Sequence, residues 1–80
     1  MTVKLVFLGK LADLAGAPEK DVAGPLDWQA LLGALPGPLA EVAQGEKVKL
    51  ALNGAVLADK TALTAEDGDE VALLPPVSGG

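Results

Sequence analysis

The sequence predicts an α+β roll in which one main helix packs across a mixed sheet, and three observations support this. Apolar, strand-like segments lie near both ends of the chain, TVKLVFL and EVALLP. Between them, one segment has apolar residues at i, i+3, i+4 and i+7, the spacing of a helix with a single apolar face. A third, KVKLALNGAVL, alternates polar and apolar residues up to a hairpin turn. Strands that flank one amphipathic helix favour a two-layer fold.

The composition limits the chain to one hydrophobic core. A domain of 80 residues buries only about 60% of the surface that its unfolded chain exposes. The chain has no Cys and no His, so stability must come from packing rather than from a disulfide or a zinc site. No apolar run approaches the roughly 20 residues of a membrane span, and the first residues do not resemble a signal peptide. We therefore expect a cytoplasmic protein with no membrane partner.

The first and last strands are expected at the centre of the sheet. TVKLVFL is apolar on both faces, with Val3, Leu5 and Phe7 on one and Val6 and Leu8 on the other. Such a strand is typical of a mid-sheet position covered on both sides. EVALLP repeats the pattern, so we expect the two strands to lie together. After the first strand, LADLAG predicts a single helical turn and EKDVAG an edge strand.

The main helix is predicted to begin after Asp27. Its carboxylate is a typical N-cap, and the apolar face that follows consists of Trp28, Leu31, Leu32 and Leu35. The run PGP should end this helix, because proline lacks the N–H and clashes with the preceding turn. PLAEVAQG then predicts a second, weaker helical segment.

The strand KVKLAL is predicted to be half-exposed, and Asn53-Gly54 to form the tight turn of its hairpin. The expected order is strand, strand, helix, strand, strand, strand. A ferredoxin-like arrangement is the alternative, but it needs a second real helix before the last strand. The segment TALTAEDGDE is short and acidic, which disfavours that helix.

Side chains offer little chemistry. The net charge is −5 and all six basic residues are lysines, which disfavours nucleic acid as a partner. Without Cys, His or Tyr, Ser78 has nothing to activate it as a nucleophile. No phosphate-binding glycine motif occurs, and EDGDE lacks the ligand spacing of a calcium loop and predicts a turn. Trp28 and Phe7 are assigned to the core, and the lysines to solvated faces without a role.

The tail is the remaining candidate for chemistry. Pro75 and Pro76 cannot continue a sheet ladder, so they should end the last strand and direct the following residues outward. We divide the chain into a domain, 1–75, and a flexible tail, 76–80. From Pro75 to Gly80 the chain can reach about 20 Å. Gly79 and Gly80 lack a Cβ, so they fit a narrow channel and leave the terminal carboxylate open to attack. The alternative is a non-catalytic interaction module with an inert tail.

The segment DGDEVALLPPVSGG, which follows a strand–helix–strand pattern, resembles the ubiquitin-like sulfur-carrier family, and in particular its molybdopterin synthase small subunits. ALNG and VKLVFLGKLADLAG are also similar to that family. The resemblance covers the whole chain and implies a β-grasp, ubiquitin-like fold. One departure is that Leu73 and Leu74 stand where some members carry aromatic residues.

The resemblance implies a role for each tail residue. Gly80 would be adenylated by a ubiquitin-activating-type adenylyltransferase that uses ATP, and a sulfur donor protein would convert it to a thiocarboxylate. Gly79 would give clearance, and Val77 and Ser78 would line the channel of the molybdopterin synthase large subunit, where a cyclic pyranopterin precursor receives the sulfur.

The chain itself would bind no cofactor and would be the non-catalytic subunit of a heteromeric sulfurtransferase. Leu74 and Val56 are candidate partner contacts. A carrier for thiazole synthesis or tRNA thiolation, or a ubiquitin-like protein modifier, remains the alternative, because those relatives share the glycine pair.

Overall fold

The structure is a computed structural model and describes residues 2–76. A five-stranded sheet has the strand order β2-β1-β7-β4-β5, and two short strands, β3 and β6, form a second sheet. The elements follow in chain order: β1 (Thr2–Phe7), α1 (Lys10–Ala15), β2 (Glu19–Ala23), β3 (Leu26–Asp27), α2 (Trp28–Ala34), α3 (Gly37–Ala43), β4 (Lys49–Leu52), β5 (Ala55–Val56), a 3-10 turn (Lys60–Ala62), β6 (Thr64–Ala65) and β7 (Glu70–Leu74).

The first and last strands pair at the centre of the large sheet, as predicted. β1 and β7 run parallel, with Leu5 opposite Val71. β2 pairs antiparallel with β1 at one edge, and β4 pairs antiparallel with β7 on the other side. The predicted edge strand, the helical turn after β1 and the mixed α+β sheet are therefore confirmed.

One face of the sheet packs against the helices and forms the core. Val3, Leu5 and Phe7 of β1 are buried together with Val71 and Leu73 of β7. The helices contribute buried side chains to the same cluster: Leu11, Trp28, Leu31, Leu39 and Ala43. The assignment of Phe7 and Trp28 to the core is confirmed.

The other face of β1 is not covered by any other part of residues 2–76, and the prediction of a strand buried on both sides is wrong. Val6 is partly exposed, and Leu8, just beyond the strand, is 41% exposed. The helices bury their apolar side chains in the core with Val3, Leu5 and Phe7, on the opposite side of the sheet from this second face. An apolar alternation on both faces shows that each face is suited to burial, but not which molecule buries it.

The helix predictions hold. Asp27 caps α2, and its Oδ1 accepts a hydrogen bond from the backbone N–H of Ala30 at 2.8 Å. Leu35 has an extended backbone, so α2 ends before PGP. Pro38 lies in the first turn of α3, where the missing N–H costs nothing.

The hairpin prediction also holds, since Asn53 and Gly54 have φ values of 50° and 86° between β4 and β5. The β3–β6 sheet was not predicted, and its strands have two residues each. Within residues 2–76, no helix has the length and apolar character that a membrane crossing requires.

Candidate functional site

The site begins at the root of the tail, where β7 ends at Leu74 and Pro75 and Pro76 follow. The pairing of β1 with β7 extends to this point, because the backbone N–H of Leu8 donates to the carbonyl of Leu73 at 3.3 Å. Gly9 has a φ of 56°, and a Cβ placed on it would lie 3.3 Å from Pro75 Cγ. A glycine here lets the chain turn close to Pro75, so the root of the tail is packed against the end of β1.

A groove of about 450 Å³ lies on one side of the root, lined by Val42, Gly45, Glu46, Lys47, Val48 and Pro76. The last pair in the β4–β7 ladder joins Lys49 to Leu74. Pro75 and Pro76 have no N–H to continue this ladder. The chain therefore leaves the sheet beside the loop 45–48 that leads into β4. The predicted reactive and channel-lining residues, Gly80, Gly79, Ser78 and Val77, lie outside the described residues.

Lys60 contacts the loop 45–48 through its ammonium group. Its Nζ donates to the carbonyl of Val48 at 2.9 Å and also to the carbonyl of Gly45. The ammonium lies 5.8 Å from the centroid of the Trp28 ring, within the range of a cation–π contact. Burial, with a smaller effect of nearby Lys49, lowers the pKa of Lys60. The sequence predicts a solvated face for this lysine. Its hydrogen bonds to Gly45 and Val48 could not be predicted, because these residues lie 15 and 12 positions earlier in the chain.

The uncovered face of the sheet carries an apolar row. In register, Val6 lies opposite Ala72, Ala72 opposite Ala51, and Ala51 opposite Val56. We call these four residues and Leu74 the outer sheet face. Val56 is the most exposed of its large side chains, at 60%. The two predicted partner contacts, Leu74 and Val56, thus lie on one surface, and Leu74 connects it to the tail root.

Charged residues border the outer sheet face along edge strand β2 and at the start of β7. Lys4 of β1 lies in register with Asp21 of β2 and Glu70 of β7. Glu19 lies opposite Val6 on the edge strand. Three of these four side chains are acidic, so this border offers carboxylates to a basic partner surface.

The acidic segment 66–70 forms the predicted turn, at the end of β7 opposite the tail. Asp69 accepts hydrogen bonds from the N–H of Glu66 at 2.9 Å and from Asn53 Nδ2 at 3.0 Å. The bond from Glu66, with a smaller effect of the bond from Asn53, lowers the pKa of Asp69. Asn53 Oδ1 in turn accepts from the N–H of Glu70 at 2.9 Å. In the described range, no cluster of three or more carboxylates could hold a metal ion, and these groups tie the hairpin to β7.

Comparison with known proteins agrees with this geometry. The model of the ThiS family matches residues 5–80. A molybdopterin synthase sulfur carrier subunit from Aedes aegypti is 34% identical over 86 residues, covering 98% of this chain and 88% of that protein.

Two solved structures are similar over nearly the whole chain. Small archaeal modifier protein 1 from H. volcanii has a TM-score of 0.66 and 30% identity, over 95% of this chain and 98% of that one. A complex of subunits 1 and 2 of the molybdopterin-converting factor from Helicobacter pylori contains a chain with a TM-score of 0.68 and 25% identity, and all of both chains is covered. These likenesses confirm the expected ubiquitin-like β-grasp fold.

Proposed function

The chain belongs to the ThiS family, and on that premise we propose that it is the sulfur carrier of a molybdopterin synthase, with Gly80 as the residue that bears the sulfur. The observation that carries the proposal is the tail root. A central strand ends in two prolines beside an exposed apolar face, and VSGG follows in the sequence. The likeness to the sulfur carrier subunit of Aedes aegypti supports the same role.

The proposed chemistry takes place at the α-carboxylate of Gly80. A carboxylate is a poor electrophile until one oxygen becomes part of a good leaving group. The activating partner therefore supplies ATP, the carboxylate forms an acyl adenylate and pyrophosphate is released. Sulfur at the oxidation level of sulfide, supplied by a donor protein, then attacks the acyl carbon; the new C–S bond replaces the C–O bond to AMP, AMP leaves and a thiocarboxylate remains. This product is a soft, anionic nucleophile, suited to the transfer of sulfur to a cyclic pyranopterin precursor.

The domain's own contribution is to present the tail. The chain has no Cys and no His with which to catalyse such a step, so we assign catalysis to the partners. β7 anchors the tail in the middle of the sheet, and Pro75 and Pro76 keep its first residues extended. Gly79 and Gly80 give the clearance that a narrow channel requires.

We assign the outer sheet face to the large subunit of the synthase. Val56 and Leu74 are apolar and at least partly exposed, and Leu74 directly precedes the tail root. A partner that covers this face could thus receive the tail in an adjoining channel. The complex of subunits 1 and 2 from Helicobacter pylori, one chain of which has the same fold, supports a large subunit as the partner.

The decisive test is intact-mass measurement after incubation with the cognate activating enzyme, ATP and a sulfur donor. We expect the mass to change by one exchange of oxygen for sulfur, located at Gly80 by fragmentation. A matched control carries one additional residue after Gly80, which should leave folding intact and abolish the exchange because the carboxylate is displaced from its target. An unchanged mass with a demonstrably active enzyme would refute the proposal.

A second candidate is a ubiquitin-like protein modifier, favoured by the 30% identity to small archaeal modifier protein 1. A modifier would form an isopeptide bond between Gly80 and a lysine of another protein. Carriers for thiazole synthesis or tRNA thiolation share the first activation step. Co-purification separates these roles, because the synthase carrier should be recovered with a large subunit, and its deletion should remove molybdopterin.

A further inference from the structure

We propose that Lys60 is a positioning residue for the tail: it holds the loop 45–48, beside which the tail leaves the domain. For its effect on transfer, this inference rests on the proposed function. For its effect on the tail root, it rests on geometry alone. The residue acts through the loop and does not itself contact the reacting atoms.

Both hydrogen bonds of the Lys60 ammonium are made to this loop. Its ammonium donates to two backbone carbonyls, those of Gly45 and Val48, which lie 15 and 12 residues earlier in the chain. Hydrogen bonds from a charged donor are stronger than those between neutral groups. Two such bonds to one short segment fix both its position and its orientation.

The position of Lys60 is itself determined by its neighbours. Asp59 caps the 3-10 turn, since its Oδ1 accepts from the N–H of Thr61 at 3.0 Å and from the Thr61 hydroxyl at 2.6 Å. Trp28, at the start of α2, lies beneath the ammonium. The lysine is therefore directed toward the loop by an anchored turn on one side and a buried ring on the other.

The same loop forms the wall of the groove at the tail root. Gly45 and Val48 line this groove together with Val42 and Pro76. Pro76 lies past the last ladder pair and cannot donate to a neighbouring strand, so the wall guides the chain where the sheet no longer does. A loop held by Lys60 narrows the directions in which the tail can leave.

Without Lys60 the loop would be free to move, and the tail could leave the domain over a wider range of directions. A smaller fraction of molecules would then have a tail that is aligned for insertion. When only a fraction of molecules is competent to bind, the apparent affinity falls in proportion to that fraction. Once the tail is inserted, Gly80 occupies the same place in the partner. The expected signature is a higher KM for the carrier and an unchanged kcat.

The first experiment uses nuclear magnetic resonance on the full chain and needs no partner. Lys60→Met removes the ammonium and retains an unbranched apolar stem over Trp28. We expect the amide resonances of residues 45–48 to shift, and that of Val77 to shift with them. Lys60→Arg keeps the charge and the donors and should restore the wild-type positions. Lys20→Met makes the same change on edge strand β2 and should leave Val77 unaffected.

The second experiment measures adenylation of the carrier by its activating enzyme at a temperature where every variant is folded. Lys60→Met should raise KM by about threefold to tenfold without a change in kcat, and Lys60→Arg should return KM to within twofold of the wild type. A lysine that only stabilises the fold would lower the melting temperature and leave KM unchanged. If Lys60→Met does not fold, Lys60→Gln replaces it in both experiments.

The inference is overturned if the variant shifts the loop resonances but neither the Val77 resonance nor KM. A failure of the proposed function looks different: the wild-type protein would not be adenylated, while the resonance of Val77 would still respond to Lys60→Met.

Discussion

Val56→Ala should weaken binding of the large subunit without affecting the fold. The substitution removes two methyl groups, each worth about 0.8 kcal/mol when buried. Val56 is 60% exposed, so about six-tenths of that value remains for a partner to contribute. The loss is about 1 kcal/mol, or about a fivefold increase in Kd. Because the side chain is mostly exposed in the free protein, the melting temperature should scarcely change.

Isothermal titration calorimetry with the large subunit of the same organism measures this directly. Leu14→Ala is the matched control: Leu14 is 41% exposed but belongs to α1, which packs on the opposite side of the sheet. It should leave Kd within twofold of the wild type. Equal Kd values for Val56→Ala and the wild type, with weaker binding for Leu14→Ala, would show that the partner covers the helical side instead.

Three further predictions concern stability. Asp27→Ala removes the cap of α2 and should lower the free energy of unfolding by about 1 kcal/mol in urea, whereas Asp27→Asn should lose little; equal losses would contradict the capping role. Leu50→Ala, at a fully buried site, should cost about 2–5 kcal/mol in the same assay, and a cost below 1 kcal/mol would contradict the burial. Asp69 has a lowered pKa, so its contribution to stability is complete above the ordinary Asp pKa of about 3.9 and is lost as the pH falls through the lowered value. Asp69→Asn should therefore flatten the loss of stability below about pH 4 in acid titrations followed by circular dichroism, and an unaltered slope would refute this.

The regular elements of the fold could be predicted because their signals are local. The capping carboxylate of Asp27 and the apolar spacing after it are contained in nine neighbouring residues, and the structure has the helix there. Asn53-Gly54 likewise contains its own turn. In each case the residues that specify the element are also the residues that form it.

The candidate site was harder to predict, because it depends on contacts between residues that are far apart in the sequence. Lys60 looks like any exposed lysine until the loop 45–48 is brought beside it. Val6 was expected to be covered, and its apolar character in the sequence does not show that it is left partly exposed by the described part of the chain. The contacts Leu74 and Val56 were named from the resemblance, while the register that joins them through Ala72 and Ala51 required the sheet.

The central position of β7 also determines how the domain withstands traction. Between Glu70 and Leu74 the strand is hydrogen-bonded to β1 on one side and to β4 on the other. A partner that pulled on the tail would load β7 along its own axis, whereas the bonds of the β4–β7 ladder are perpendicular to that axis and those of the β1–β7 ladder are slanted to it. The hydrogen bonds of both ladders therefore resist the pull together. A tail attached to an edge strand would be held by one ladder and could be peeled away one bond at a time, whereas this tail follows a strand that is held by a ladder on each side.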